Sequence, residues 1–241
     1  LSVNAGVRLQ HGSSYGNVWV PQAGVIVRPG FGSEFRLSFS KGFRAPNLRE
    51  LYLYPPHNPD LRPEYMFNYE VAYSQRLLEG RLKLGAALFF IDGKDMIQTV
   101  MIGGRPRNMN VGRFINKGFE IEGAFRVNRL WAVAAAYSFL HTDAPVMQAP
   151  KHKLDASVSY SPGRFDFTLE DQSIWDMYTG APGGRKESYT LLSFRAAYTL
   201  ASRVPVTVFA KVDNIADRHY EVIYGCPMPG TTLTGGVELK F

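Results

Sequence analysis

The carboxyl end of the chain alternates polar and apolar residues without a break. In an extended strand such residues fall on opposite faces. The apolar set is Leu233, Gly235, Val237, Leu239 and Phe241, and the polar set is Thr232, Thr234, Glu238 and Lys240. A period of two with one apolar and one charged face predicts a strand between an apolar medium and water. A strand of a transmembrane barrel meets that condition, because it faces lipid outside and an aqueous lumen inside.

The same alternation recurs along the whole chain. About twelve segments of roughly 10 residues carry it, which is near the length that a tilted strand needs to cross a bilayer. No segment resembles a membrane helix. We therefore predict an all-β fold, a transmembrane antiparallel up-and-down β-barrel with about twelve strands visible. The predicted lipid face contains Phe35, Leu37, Phe39, Leu84, Leu88, Phe119, Ile121, Val208 and Leu239.

Composition agrees with a barrel. Hydrophobic residues make up 45% of the chain, too few for helical spans, and aromatic residues make up 13%, as expected for interfacial girdles. The single cysteine, Cys226, excludes an internal disulfide and a CxxC metal site. The net charge of +6 is spread along the sequence, so it predicts a solvated lumen and headgroup contacts and no nucleic-acid partner.

The connections between segments alternate between short and long. In outer-membrane barrels short turns are periplasmic and long loops extracellular, which predicts a periplasmic carboxyl end. A soluble sandwich would show no such regularity and would expose fewer large apolar residues. The predicted short connections lie at residues 29–33, 78–80, 128–129, 162–163 and 201–203, and the long ones at 44–63, 93–110, 142–151, 171–188 and 214–230.

Several sequence blocks resemble the carboxyl-terminal barrel signature of TonB-dependent outer-membrane receptors. The resemblance covers the chain from Phe35 to Phe241, with one departure at Thr231, where the family commonly has arginine after Pro229-Gly230. The blocks are SKGFRAPNLRELY at 40–52, NPDLRPE at 58–64, FINKGFEIEG at 114–123, APKHKL at 149–154 and VDNIADRHY at 212–220.

This resemblance implies uptake of a scarce nutrient across the outer membrane of a Gram-negative bacterium. Family barrels have about 22 strands, so residues 1–241 would be the carboxyl-terminal portion of one. A plug domain and the TonB complex would be partners through an amino-terminal part outside this sequence. The start at Leu1, without initiator methionine or signal peptide, predicts a piece of a longer precursor. Outer-membrane lipid and lipopolysaccharide are the other expected partners.

No catalytic constellation is present in the sequence. The five histidines are scattered, and there is no nucleophile elbow, phosphate loop or HExxH motif. We therefore expect no enzyme and no intrinsic cofactor.

His57 is the most informative candidate ligand residue. It lies between the FRAP and NPDL boxes in a long connection, where haem receptors of the family carry a histidine, so it is a candidate axial haem ligand. The flanking boxes also occur in siderophore and cobalamin receptors, and the alternative interpretation is a solvated loop histidine next to prolines. Tyr54 lies in the same connection.

Other long connections supply further candidates. Arg105, Arg107 and Arg185 suit the carboxylates or catecholates of a ferric siderophore, and equally the phosphates of lipopolysaccharide. Met109 offers a soft ligand for copper or a contact for a corrinoid, and flexible apolar packing within the loop is the alternative. Trp175 completes the set. We expect the connections 44–63, 93–110 and 171–188 to form the ligand-facing vestibule.

The transported ligand is thus expected to be a ferric siderophore or haem, with cobalamin or copper as alternatives. A different reading is a complete twelve-stranded barrel, since that strand number is even. It would be a passive channel or an outer-membrane enzyme. A structural or adhesive barrel would lack a substrate-dependent TonB requirement.

Overall fold

The computed structural model describes residues 1–143, 146–180, 184–201 and 206–239. Strands account for most of them. In chain order they are β1 (Ser2–Gly12), β2 (Gly16–Gly30), β3 (Ser33–Arg44), β4 (Glu64–Leu77), β5 (Leu82–Ile102), β6 (Arg105–Arg126), β7 (Trp131–Thr142), β8 (His152–Tyr160), β9 (Phe165–Tyr178), β10 (Lys186–Thr199), β11 (Val206–Asp213), β12 (Glu221–Ile223), β13 (Cys226–Pro227) and β14 (Thr232–Leu239). One short helix, α1 (Leu48–Leu51), follows β3, and a 3-10 turn spans Leu78–Gly80. Within the described ranges, no helix is long and apolar enough to cross a bilayer.

Twelve of these strands form one sheet in which each strand lies beside its neighbours in the chain. The order is β1-β2-β3-β4-β5-β6-β7-β8-β9-β10-β11-β14, and β12 pairs with β13 in a small separate hairpin that lies between β11 and β14 in the chain. This up-and-down order confirms the predicted all-β meander. Strands β1 and β14 stand at the two ends of the order.

The chain divides into two compact units. The first contains Leu1–Tyr73, Ala87–Gly118 and His141–Ala144, and the second contains Ser74–Ala86, Phe119–Leu140 and Pro145–Phe241. Each of the strands β4 to β7 contributes residues to both.

The register between β11 and β14 confirms the alternation at the carboxyl end. Val208 pairs with Val237 and Val206 with Leu239, whereas Thr207 pairs with Glu238. Residues paired across an antiparallel ladder share a face, so the two sequence sets separate into an apolar face and a polar face. Lys240 and Phe241 lie outside the described residues.

The apolar face is not covered by other parts of the described chain. Leu37 is 51% exposed, Leu88 62% and Ile121 53%. So many large exposed apolar side chains would aggregate in water, but they match a surface that meets lipid.

Aromatic rings gather near one border of the apolar face in the second unit. The ring centroids of Trp131 and Tyr160 are 4.4 Å apart, and those of Phe165 and Tyr198 are 4.7 Å apart. Phe165 also stacks on Phe167 at 5.9 Å. This arrangement matches the aromatic girdle that barrels place at a membrane interface.

The predicted long connection 93–110 is wrong. Strands β5 and β6 continue through it and meet at Gly103 and Gly104, both with positive φ, in the two-residue turn typical of hairpins. The connection 171–188 is shortened in the same way, because β9 continues to Tyr178 and β10 begins at Lys186. The connections 44–63 and 214–230 match the structure, while part of the predicted turn 201–203 lies outside the described residues.

Candidate functional site

One guanidinium holds both ends of the connection 45–63 in the first unit. Arg44 donates from Nε and Nη2 to the carboxylate of Glu64, at 2.6 and 2.9 Å, and from Nη1 to both oxygens of Glu50, at 3.0 and 2.9 Å. Glu64 is buried and also accepts from the backbone N–H of Ile97 at 2.7 Å. Because Glu64 has three donors, its buried charge is satisfied.

The helix α1 is fixed by its own sequence. The side chain of Asn47 accepts from the backbone N–H of Glu50, and the carboxylate of Glu50 accepts from that of Asn47, both at 2.9 Å, so the pair forms a capping box. Burial opposes ionisation of Glu50, but the hydrogen bonds from Arg44 and Asn47 outweigh it and lower its pKa below the ordinary value. Leu51 is buried beneath this helix turn.

The second half of the connection is clipped to the β5–β6 hairpin. Buried Asn58 donates from Nδ2 to the carbonyl of Asn108 at 2.8 Å, and the N–H of Asn108 donates to the carbonyl of Pro56 at 2.7 Å. Asn110 exchanges two hydrogen bonds of 2.8 Å with the backbone of Arg62. The connection is therefore built as an ordered cap on the hairpin.

The candidate ligand residues in this unit differ in whether their side chains already form hydrogen bonds or ion pairs within the protein. Arg107 donates to Asn58 Oδ1 at 3.0 Å and to Asp60 at 3.4 Å, so its guanidinium joins β6 to the connection 45–63 while it stays 47% exposed. Tyr54, His57 and Arg105 are exposed, and among the described residues their side chains have no hydrogen-bond or ion-pair partner. Met109 is half-buried on β6.

The second unit contains the other two candidates. Trp175 pairs in register with His152. The ring centroid of His152 is 5.2 Å from that of Phe139, and a hydrogen bond of 2.6 Å joins its Nδ1 to the hydroxyl of Tyr137. These residues share the apolar face, so the position of Trp175 favours membrane contact over ligand contact. Arg185 forms a 2.9 Å ion pair with Glu187 and lies 5.9 Å from the ring of Tyr224.

A buried apolar cluster, on the face of β9 and β10 opposite Trp175, was not predicted from the sequence. Ile174, Met177 and Tyr189 are buried together, and Tyr220 stacks on Tyr189 at 4.4 Å. The connection 214–231 is thereby packed over the strands. Tyr220 and Val222 pack against the cluster, and their spacing of two residues is the sequence feature that could have indicated it.

Thr231 closes the base of this connection. Its hydroxyl donates to the carbonyl of Asn214 at 2.9 Å, and its N–H donates to Asp217 Oδ1 at 3.0 Å. Asn214 is buried and exchanges hydrogen bonds with the backbone of Arg218 at 2.9 and 2.8 Å. Threonine at this position thus supplies its own structural bonds where the resembled family commonly has arginine.

A cavity of about 1000 Å³ lies along the polar face of the second unit, below this connection. Charged pairs line it: Lys211 is 2.9 Å from Asp213 and 3.9 Å from Glu170. Gln172 donates to Asp155 at 3.2 Å. The alternation predicted a polar face here, but not a cavity, because the cavity depends on how the distant connection folds over the strands.

Comparison with known proteins identifies a common family. The family described as TonB dependent receptor-like, beta-barrel matches residues 1–215. The vitamin B12 transporter BtuB of Vibrio vulnificus is 26% identical over 235 residues, covering 93% of this chain. The siderophore receptor PirA from Pseudomonas aeruginosa superposes with a TM-score of 0.77 at 20% identity over 98% of this chain, and the copper transporter OprC with 0.76 at 16% identity over 93%.

This chain corresponds to only part of each of these proteins. It spans 37% of BtuB, 42% of PirA and 40% of OprC.

Proposed function

This chain belongs to the TonB-dependent receptor family, and from that premise we propose that residues 1–241 form the carboxyl-terminal portion of the barrel of a nutrient-uptake receptor. The family consists of receptors and transporters rather than enzymes. The proposed receptor lies in the outer membrane with its carboxyl end periplasmic, and it takes up its cargo with energy supplied through a plug domain and the TonB complex.

The observation that carries this proposal is the contrast between the two faces of one sheet. The apolar face exposes Leu88 and Ile121, whereas the polar face of the second unit carries Lys211, Glu170 and Asp155 around a cavity of about 1000 Å³. A soluble protein would bury the first face, and a lipid-facing surface would not tolerate the second. A plug domain would supply partners for the charged groups of the polar face.

The strand order favours a portion of a barrel over a complete small channel. Among the residues that the structure describes, the order begins with β1 and ends with β14, and each of these two strands has one neighbouring strand in it. Unpaired edges cost several kcal/mol per backbone group in lipid, so further strands would be needed to pair them.

We propose a ferric siderophore as the first cargo, with haem second and cobalamin or copper as alternatives. The unengaged guanidinium of Arg105 suits anionic oxygen ligands, and exposed His57 and Tyr54 lie in the ordered connection 45–63. The relatives do not decide among these cargoes, because one is named for vitamin B12, one for siderophores and one for copper.

Growth of cells that carry the full-length receptor as their only candidate importer tests this function. We expect iron-limited growth on a ferric siderophore, and we expect deletion of the TonB partner to abolish it. Growth that continues without TonB would contradict energy-coupled uptake and support a passive channel. TonB-dependent growth on cobalamin or copper alone would keep the receptor function and overturn the iron cargo.

Substitution of two exposed residues, Arg105 and His57, distinguishes a siderophore cargo from a haem cargo. Arg105→Ala is expected to weaken binding of an anionic ferric siderophore by about tenfold or more, because a charge-assisted hydrogen bond contributes about 1.5–3 kcal/mol. His57→Ala is expected to leave siderophore binding unchanged. The measurement is ligand titration of the purified full-length receptor.

The matched control is Arg129→Ala, which removes the same charge from the short connection between β6 and β7. An equal loss of siderophore affinity in Arg105→Ala and Arg129→Ala would show that Arg105 does not contact the siderophore. If His57→Ala changes neither haem affinity nor growth on haem, His57 is not an axial haem ligand. That result would not contradict siderophore uptake.

A further inference from the structure

The apolar face of the first unit carries a group of basic side chains next to its aromatic rings. They are Lys41 on β3, Lys94 on β5, and Arg113 and Lys117 on β6, and we call them the basic belt. Lys41 continues the apolar set two residues beyond Phe39, and Lys117 precedes Phe119 by two. Because side chains two residues apart in a strand share a face, the belt prolongs the apolar face toward the connection 45–63.

Contacts with aromatic rings place two of these cations directly. The ammonium of Lys41 lies 4.4 Å from the ring centroid of Tyr65 and 5.8 Å from that of Phe67. The ammonium of Lys94 lies 5.5 Å from the same Phe67 ring, which itself stacks on Phe39 at 6.5 Å. Both lysines therefore lay their aliphatic stems along apolar surface and hold their charges at its border.

Carboxylates neutralise only part of the belt. Asp92 is 3.1 Å from Arg113 and 3.6 Å from Lys94, which remain 64% and 51% exposed. Asp143, which directly follows β7, accepts from the backbone N–H of Ile115 on β6 at 3.1 Å. Within the described ranges Lys41 and Lys117 have no carboxylate partner. The border of the apolar face therefore keeps an excess of positive charge.

An excess of cations beside lipid needs an anionic counterpart. A cation facing the hydrocarbon core is costly, whereas a basic side chain at the interface gains about 1 kcal/mol from an anionic headgroup. The belt lies on the side of the connection 45–63, which is the extracellular side in the proposed orientation. In that orientation the belt would lie at the border between hydrocarbon and water, where the phosphates of lipid headgroups are found.

We propose that the basic belt binds the phosphate groups of lipid A in the outer leaflet. Asp92 accepts from Nε and Nη2 of Arg113 at 3.1 and 3.4 Å, so the Nη1 donor of Arg113 and the three lysine ammonium groups are the donors available to phosphate oxygens. The inference rests on the proposed outer-membrane placement and goes beyond cargo uptake, because none of the belt residues is a candidate cargo ligand.

The test compares two double variants of the full-length receptor purified in detergent. Lys41→Gln with Lys117→Gln removes the two cations that have no carboxylate partner. Arg8→Gln with Lys83→Gln removes the same charge from strands β1 and β5 on the polar face. Binding of bisphosphorylated lipid A, dephosphorylated lipid A and inorganic pyrophosphate is titrated on each.

We expect the first double variant to bind bisphosphorylated lipid A about tenfold or more weakly, with the second unchanged. The unmodified receptor should prefer bisphosphorylated over dephosphorylated lipid A. Equal losses in both variants, or no preference for phosphate, would overturn the proposal. Equally tight binding of pyrophosphate would also overturn it, because the belt would then be a general anion surface.

The cargo function is measured separately on the same variants. We expect the Lys41→Gln, Lys117→Gln double variant to lose lipid A binding and to keep unchanged TonB-dependent growth. Failure of the unmodified receptor to import any of the proposed cargoes would overturn the proposed function and leave the lipid A result intact.

Discussion

Replacing Leu88 with arginine should destabilise the inserted receptor by about 2–4 kcal/mol, the cost of a basic side chain facing the middle of a bilayer. Leu88 is 62% exposed on the apolar face of β5, six residues beyond the start of that strand. The cost arises because the guanidinium must enter hydrocarbon or pull water and headgroups toward it.

The control for this change is Ala87→Arg on the polar face of the same strand. The measurement is urea-induced unfolding of the full-length receptor in lipid vesicles, together with the fraction that assembles in the outer membrane. We expect Ala87→Arg to leave assembly intact, since charges are common on the polar face. Equal loss with both variants would contradict the assignment of faces.

Removal of the guanidinium of Arg44 has the second largest expected effect. Arg44→Ala leaves the buried carboxylate of Glu64 without its two side-chain donors, and it also releases Glu50. We expect the free energy of unfolding to fall by about 2 kcal/mol, less than for a fully buried pair because Arg44 is 45% exposed. Residues 45–63 should also become sensitive to protease.

A second substitution separates the ion pair from simple loss of packing. Glu64→Gln in the Arg44→Ala background removes the unpaired buried charge, so part of the stability should return. Arg49→Ala is the control, because that exposed arginine on α1 has no side-chain partner among the described residues. Absence of any rescue, or an equal effect of Arg49→Ala, would show that the bridge does not hold the connection.

The faces of the sheet could be predicted from sequence because the period of two is a local property. Leu233, Val237 and Leu239 need no knowledge of their partners to be assigned to one face. The register with Val212, Val208 and Val206 then follows from matching apolar sets.

The extent of β5 and β6 could not be predicted in the same way. Beyond the lipid both faces of a strand meet water, so the apolar alternation that marks a strand disappears. Arg105, Arg107 and Asn108 then read as a loop, although backbone pairing continues to the turn at Gly103 and Gly104. A long hairpin and a long polar loop have the same composition.

The candidate site depended on contacts that sequence does not contain. The sequence predicts Arg107 as a ligand contact but does not reveal its hydrogen bonds to Asn58 and Asp60. The face of Trp175 is set by its register with His152, and a slip of one residue would reverse it. The cargo-binding roles of all seven candidates stay predictions: His57, Tyr54, Arg105, Arg107, Met109, Trp175 and Arg185.

Strand β11 offers the most direct test of the two faces, because it contains an apolar residue on the polar face. Phe209 lies over Gly236, where a Cβ atom would meet its ring at 2.7 Å, and the guanidinium of Arg195 lies 4.9 Å from the ring centroid. Composition alone would assign Phe209 to lipid, whereas the register assigns it to the lumen side with Thr207 and Lys211.

The measurement is the collision of spin labels with oxygen, which concentrates in lipid, and with a water-soluble nickel chelate. Single cysteines replace each residue of Val206–Asp213 in the full-length receptor, in a background with Cys226→Ser and no other cysteine, reconstituted in lipid vesicles. We expect oxygen to dominate at Val206, Val208, Ala210 and Val212, and to be low at Phe209 as at Thr207 and Lys211. Uniform exposure along the strand, or a Phe209 label as exposed to lipid as that at Val208, would contradict a membrane-spanning sheet with one lipid face and one polar face.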